Sequence, residues 1–236
     1  MSERVAPQQL PPPTHRNWIW FSFQVILQNL FTFWLGYRSR GMERLPEAGA
    51  LLLINHQSFL DPLLVGLPLS RPVSYLARDN LFRVPVVGWI LRRTYVMAIR
   101  RESAGSESIR ESVRRLQHGF YVGIFPEGTR TRDGQLGRLK PGVLVIAKRA
   151  GVPIVPVGVA GAFEALPRNA LWLRPSPVRV VYGEPLTVEE IELLSTRSND
   201  EFLQVIRERI ADSLQQAERW LQEDRARRSS TQSPSA

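Results

Sequence analysis

The sequence contains no cysteine among its 236 residues, which excludes disulfide bonds, thiolate metal sites and cysteine nucleophiles. Lysine is almost as scarce, because only Lys140 and Lys148 contribute to the 31 basic residues and arginine supplies the rest. The formal net charge is +9. The arginine guanidinium stays protonated, and its planar set of N–H groups can donate two hydrogen bonds to a phosphate. The excess therefore suits an anionic lipid, a nucleic acid or a phosphorylated ligand, although arginine-biased codon usage would give the same count.

The length and the 43% hydrophobic content predict one domain with a single core. We expect this domain over residues 39–224. Residues 1–16, which contain three consecutive prolines, are predicted to be a flexible lead-in, and residues 225–236, rich in arginine and serine, a disordered tail. No small-residue cleavage site follows the first apolar segment, so we expect no secretory signal.

The first long apolar segment, residues 18–37, carries no charge and is long enough to span a bilayer. On a helical wheel its five polar residues fall within one side, and large apolar residues crowd the other. The polar residues are Ser22, Gln24, Gln28, Asn29 and Thr32. This pattern favours a helix over residues 17–38 that lies in the membrane interface, with an anionic membrane surface as its partner. A spanning helix and a buried core helix are the alternatives.

Six apolar segments rich in β-branched residues predict strands, at residues 50–54, 73–77, 95–99, 121–125, 154–159 and 178–182. Apolar residues that repeat at helical spacing predict helices between or after these strands. One helix ends at Gly119, another runs from Pro141 to Gly151, and a last one covers about residues 199–223. The predicted fold class is α/β, a single-domain sandwich with a mixed, largely parallel sheet flanked by helices and preceded by the N-terminal membrane-associated helix.

A histidine and an aspartate, His56 and Asp61, directly follow the first predicted strand. Positions i and i+5 of a helix lie about 140° apart and cannot hydrogen-bond, so the two can cooperate only if the chain turns between them. Pro62 predicts a helix start at that turn. Asp61 is then either an N-cap for this helix or the group that orients His56 as a base toward a substrate hydroxyl. Because no serine or threonine shows a nucleophile-elbow pattern, we expect no acyl-enzyme.

A second motif, Phe125-Pro126-Glu127-Gly128-Thr129-Arg130, follows the fourth predicted strand. Pro-Glu-Gly is ordinary turn chemistry, and a turn with a surface ion pair is one interpretation. The order of strand, this turn and then Lys140-Pro141-Gly142 opening a helix favours an anion site in which Arg130 faces phosphate. No cluster with metal-ligand spacing is present, and we expect no metal.

Taken together, the two motifs resemble the glycerolipid acyltransferase family, specifically the 1-acylglycerol-3-phosphate acyltransferases. The residues at 99–102, which include Arg100 and Arg101, and those at 152–157 are similar to two further blocks of the family. The resemblance covers about residues 40–185.

The resemblance implies that His56 is the general base, that Asp61 orients it, and that Glu127 and Gly128 belong to the acceptor site. Thr129 lies in the same block, with Arg130, Arg101 or Arg100, and Lys140 as candidate ligands of the acceptor phosphate. The implied reaction moves a fatty acyl group from acyl-CoA or acyl carrier protein to the 2-hydroxyl of lysophosphatidic acid, without a cofactor. The implied location is the cytoplasmic face of the plasma membrane.

Two alternatives stay open. The acceptor could be another lysophospholipid or a lyso-ornithine lipid, because the motifs do not fix the headgroup. The chain could also be a membrane-binding protein without catalytic activity. Charge alone would suit a nucleic-acid binder, but the basic residues form no recognisable reading motif, so we expect no nucleic-acid partner.

Overall fold

The computed structural model describes residues 10–99, 105–168, 170 and 172–231. The helices are α1 (Trp18–Leu35), α2 (Asp61–Gly66), α3 (Pro85–Leu91), α4 (Ser106–Gln117), α5 (Gly142–Ala150), α6 (Ala162–Ala165), α7 (Val188–Ser195) and α8 (Asn199–Thr231). The strands are β1 (Arg38–Arg40), β2 (Leu51–Ile54), β3 (Val73–Arg78), β4 (Met97–Ile99), β5 (Tyr121–Ile124), β6 (Ile154–Ala160) and β7 (Arg179–Tyr182). Two 3₁₀ turns cover Met42–Arg44 and Asp79–Arg83.

The strands of the described residues form one seven-stranded sheet in the order β1-β7-β6-β2-β5-β3-β4. Every neighbouring pair is parallel except β6 and β7, which are antiparallel. The predicted mixed, largely parallel sheet is confirmed. Strand β2 lies at the centre between β5 and β6, and its four residues are fully buried, as expected for a strand that is covered on both faces.

Helices cover both faces of the sheet, and the alternation of side chains along each strand divides the core in two. Leu52 and Ile54 of β2 face one cluster, which includes residues of α1 and α2. Leu51 and Leu53 face the other, which includes residues of α4, α5, α7 and α8. The predicted sandwich is therefore confirmed, and the strand ends are held between two helical layers.

Helix α1 packs against the domain along its length, through the buried residues Ile19, Gln24, Phe31 and Leu35. Gln24, one of the five polar residues of the helix, is buried and donates to the carbonyls of Leu67 and Leu69. Two backbone carbonyls satisfy the amide, and this permits its burial. The apolar residues that remain exposed are Trp18, Phe21, Val25, Ile26, Leu30, Phe33 and Trp34. Among the described residues, no helix combines the length and hydropathy that a membrane span requires.

Some residues of the predicted lead-in and tail are described by the structure and have defined positions. Within the predicted flexible lead-in, Leu10 packs against the core and the carbonyl of His15 accepts from the Tyr95 hydroxyl at 2.7 Å. At the other end, α8 continues to Thr231 through most of the predicted disordered tail. Just before this segment, Asp224 accepts from the buried guanidinium of Arg179, which joins α8 to the sheet. Residues 1–9 and 232–236 lie outside the described part of the chain.

Candidate active site

The two sequence motifs meet because β2 and β5 are parallel neighbours whose carboxyl ends lie at the same edge of the sheet. Leu53 of β2 is in register with Ile124 of β5. The loops that follow, with His56 on one and Glu127 on the other, are therefore adjacent. Such edges are where α/β folds commonly place their binding sites.

Asn55 fixes the point at which the chain leaves β2. Its side-chain amide donates to the carbonyl of Val159 at 2.9 Å, and its oxygen accepts from the Val159 N–H at 2.7 Å. The amide thus takes the place of a backbone group in the ladder with β6. This pairing frees the backbone of His56 to turn toward β5. The role of Asn55 was not predicted, although its place in the Asn-His motif is a signal that could have indicated it.

His56 and Asp61 are in contact: Nδ1 of the imidazole lies 2.8 Å from Oδ2 of the carboxylate. The same oxygen accepts from the backbone N–H groups of Gln57 and Ser58, at 2.7 and 2.8 Å. The interpretation of Asp61 as an N-cap is wrong, because α2 begins at Asp61 itself and the cap residue, Leu60, makes no side-chain cap bond. Asp61 instead folds the preceding loop around its carboxylate.

The hydrogen bonds to the Asp61 carboxylate favour one placement of the shared proton. Asp61 is fully buried, and burial raises its pKa, an effect that the hydrogen bonds from His56 and the two backbone N–H groups oppose. With the carboxylate ionised, Nδ1 of His56 carries the proton and donates it, so Nε2 is the basic nitrogen. The imidazole side chain is 18% exposed. The basic nitrogen therefore belongs to a side chain that a substrate can reach.

The ring of Phe125 supports the imidazole of His56 from its face. The two ring centroids are 4.0 Å apart and the planes are inclined by 22°. The ring of Tyr75 of β3 is nearly parallel to that of Phe125, with the centroids 6.2 Å apart and the planes inclined by 16°. Sequence reasoning counted Phe125 as part of its strand and missed this contact, and its position next to the Pro-Glu-Gly turn was the available signal.

The carboxylate of Glu127 accepts hydrogen bonds from two loops, the one with His56 and the one with Gly137. One oxygen accepts from the His56 N–H and the other from the Gly137 N–H, both at 2.8 Å. The side chain is buried, and burial raises its pKa against the opposing effect of these hydrogen bonds. Both oxygens are thus engaged by the protein's own backbone. That Glu127 also contacts a substrate stays a prediction.

The remaining predicted substrate-binding residues lie on the loop after β5. Gly128, Thr129 and Lys140 are exposed, and Arg130 donates to the carbonyl of Arg168 at 3.3 Å. Gly128 has φ +70°, and a Cβ there would lie 2.5 Å from Nζ of Lys140, so the lysine side chain crosses directly over this turn. Arg100 and Arg101 lie outside the described residues.

Fold and site together define an α/β protein with a hydrogen-bonded histidine–aspartate pair beside a cationic loop. Its arrangement suits the removal of a proton from a hydroxyl of an anionic ligand. Comparison with known proteins agrees with this class. The chain matches the model of the family described as Acyltransferase over residues 36–160, and it belongs to that family.

Named relatives share this region. The chain is 32% identical over 160 residues to the chloroplastic 1-acyl-sn-glycerol-3-phosphate acyltransferase BAT2 of Brassica napus, covering 66% of this chain and 46% of that protein. It is 30% identical over 179 residues to the 1-acyl-sn-glycerol-3-phosphate acyltransferase of Pseudomonas aeruginosa, covering 71% of this chain and 69% of the relative. The chain thus spans about half the length of the Brassica relative.

A solved structure is similar throughout most of the fold. The crystal structure of the 1-acyl-sn-glycerophosphate (LPA) acyltransferase PlsC from Thermotoga maritima matches with a TM-score of 0.69 and 25% identity. The match covers 87% of this chain and 79% of that chain. The α/β architecture described above is therefore that of a known acyltransferase.

Proposed function

We propose that this protein transfers a fatty acyl group from acyl-CoA or acyl carrier protein to the 2-hydroxyl of 1-acylglycerol-3-phosphate, which gives phosphatidic acid. The observation that carries the proposal is the 2.8 Å contact between Nδ1 of His56 and the buried carboxylate of Asp61. It leaves Nε2 of a reachable imidazole free to accept a proton. The names of the relatives supply the substrate class.

The reaction needs one base and no protein nucleophile. His56 removes the proton of the acceptor hydroxyl as the hydroxyl oxygen attacks the thioester carbonyl carbon of the donor. The new C–O bond forms, the tetrahedral intermediate collapses and the C–S bond breaks. The proton then passes from His56 to the departing thiolate. Asp61 stabilises the transient imidazolium and keeps the ring in one tautomer, and such a base contributes on the order of 10²- to 10⁴-fold in rate.

The acceptor phosphate is assigned to the loop after β5. Arg130 and Lys140 are the described cations of the predicted acceptor site, and the Lys140 side chain crosses Gly128 directly after Glu127. Arginine can hold a phosphate through two N–H groups, whereas lysine acts as a point charge. Arg100 or Arg101 would complete this set.

We assign the membrane contact to α1, at the cytoplasmic face of the plasma membrane. Its exposed side chains include Phe33, which is 86% exposed, and Ile26, which is 64% exposed. Large apolar side chains in contact with water are costly, and insertion into the acyl-chain boundary of a bilayer removes that cost. The lysolipid acceptor would then reach the site from the same surface.

The test is a panel of acceptors assayed with both donors in detergent or vesicles. Lysophosphatidic acid, two other lysophospholipids and a lyso-ornithine lipid would each be offered with acyl-CoA and with acyl carrier protein. We expect turnover with lysophosphatidic acid. His56→Ala should abolish it and Asp61→Asn should reduce it by roughly 10³- to 10⁴-fold.

His118→Ala is the matched control, because His118 stacks on Phe120 at the end of α4 and makes no described contact with the site. It should retain wild-type turnover. Full activity in a folded His56→Ala variant would refute the mechanism, and turnover confined to another lysolipid would replace the acceptor. Vesicle binding without turnover on any acceptor would show a protein that binds membranes only.

A further inference from the structure

Arg207, on the buried side of α8, makes two hydrogen bonds to the loop that follows the Phe-Pro-Glu-Gly turn. Its guanidinium donates to the carbonyl of Leu136 at 3.2 Å and to the carbonyl of Gly137. A planar guanidinium is suited to bridging two consecutive carbonyls in this way. The contact therefore fixes both the position and the orientation of the peptide group between these two residues.

That peptide group is itself part of the active site. Its oxygen belongs to Leu136 and accepts from Arg207, while its N–H belongs to Gly137 and donates to Glu127 at 2.8 Å. The other oxygen of Glu127 accepts from the His56 N–H, also at 2.8 Å. A continuous chain of hydrogen bonds thus runs from α8 to the backbone of His56. Each bond in such a chain polarises and strengthens the next.

Gly137 lies very close to the carboxylate of Glu127, so this part of the hydrogen-bond chain is closely packed. A Cβ on Gly137 would lie 2.7 Å from Oε2 of Glu127, a distance that real Cβ atoms do not show. The carboxylate is buried, so it has no room to move aside without giving up its bond to His56. Glu127 can therefore accept from the His56 N–H in this position only while the loop at Gly137 stays in place.

We propose that Arg207 is a positioning residue for the acyl transfer and acts on His56 through Gly137 and Glu127. This inference rests on the proposed function and extends it to a helix that sequence motifs do not mark. Arg207 touches no reacting atom. Its effect is to keep the base where the Asp61 and Phe125 contacts can orient it.

The experiment is a double-mutant cycle with Arg207→Ala and Glu127→Gln, measured as kcat and KM. Arg207→Ala alone should lower kcat about tenfold, the effect expected when a hydrogen bond to a charged group is lost. Glu127→Gln already interrupts the hydrogen bonds that connect Arg207 to His56. Adding Arg207→Ala to the Glu127→Gln variant should therefore change kcat by less than about twofold. Arg209→Ala is the matched control, because Arg209 lies on the same helix and pairs with Glu190 on α7. It should leave kcat unchanged.

A second readout does not require activity. Amide hydrogen exchange at Gly137 and His56 should accelerate in folded Arg207→Ala and stay at the wild-type rate in Arg209→Ala. If Arg207→Ala does not fold, Arg207→Lys replaces it, because a point charge cannot bridge both carbonyls.

The outcomes separate the two proposals. Equal loss of kcat from Arg207→Ala in both backgrounds, or unchanged exchange at both amides, overturns the role of Arg207. A wild-type protein that is inactive on every acceptor overturns the proposed function instead, and the exchange rates then decide on Arg207 alone.

Discussion

The imidazole of His56 lies flat on the phenyl ring of Phe125, with the ring centroids 4.0 Å apart. Asp61 holds the same imidazole at its edge, through Nδ1. The face contact sets the plane of the ring and the edge contact sets its rotation within that plane. Two different interactions therefore define the direction of the free nitrogen, and each can be removed separately.

Phe125→Leu should lower kcat roughly two- to tenfold, since an aromatic contact of this kind is worth about 0.5–1.5 kcal/mol. Leucine keeps the apolar volume and loses the flat surface. Phe125→Tyr keeps the ring and should retain most of the activity. Steady-state kinetics of the three proteins, with thermal unfolding to confirm that each is folded, provide the measurement. Equal kcat for the leucine and tyrosine variants would contradict this role of the ring.

Asp61→Asn should change how stability depends on pH. Burial raises the pKa of Asp61 above its ordinary value, so its contribution to the free energy of unfolding is fully present below about pH 4 and is lost as pH rises through the folded-state pKa. Wild type should therefore lose stability relative to Asp61→Asn as pH rises above about 4. Urea unfolding of both proteins at several pH values measures the difference. A constant difference, or one of opposite sign, would show that the pKa is not raised.

The double variant Ile26→Asp/Phe33→Asp should bind anionic vesicles more than about tenfold more weakly than wild type, because each inserted side chain contributes about 1.5–3 kcal/mol. The control is Gln28→Asp/Thr32→Asp, which adds the same charge at exposed polar positions of α1. Co-sedimentation with vesicles of phosphatidylglycerol and phosphatidylethanolamine compares them. The same loss in both double variants would indicate charge repulsion, and α1 would then not be the inserted element.

Asp224→Asn should lower the free energy of unfolding by about 3 kcal/mol, since it removes the partner of a buried charge. The Arg179 side chain is 0% exposed and donates two N–H groups to Asp224. Asp212→Asn, at an exposed site of the same helix where the carboxylate accepts from Gln216, should cost less than about 0.5 kcal/mol. Urea unfolding of both variants tests this. Similar values for the two would mean that the Arg179 pair is not stabilising.

Local pattern was enough to predict the parts of this protein that depend on near neighbours in the chain. The six predicted strands correspond to six of the seven described, and the His56–Asp61 contact follows from a five-residue spacing and Pro62. Strand β1 was missed because Arg38-Ser39-Arg40 has no apolar pattern, and only its pairing with β7 makes it a strand.

Three features that composition and periodicity do not indicate depend on partners distant in sequence. Gln24 is polar, yet it is buried because the carbonyls of Leu67 and Leu69 accept its two hydrogen bonds. The tail beyond Arg225 has a disordered composition, but a carboxylate one residue earlier binds Arg179. Arg207 is one of many arginines, and its spacing carries no signal. Such contacts depend on the folded arrangement of the sheet, which composition and periodicity do not specify.

Helix α8 has 33 residues and so measures about 50 Å from end to end. Near its beginning Arg207 holds the loop beside His56, and near its end Asp224 holds Arg179, which also donates to the carbonyl of Gly36 at the close of α1. Helix α8 thus connects the helix assigned to the lipid surface with the Leu136–Gly137 loop, which reaches His56 through Glu127. If α1 tilts as the bilayer thickens or curves, the movement would be transmitted through α8 to the Leu136–Gly137 loop.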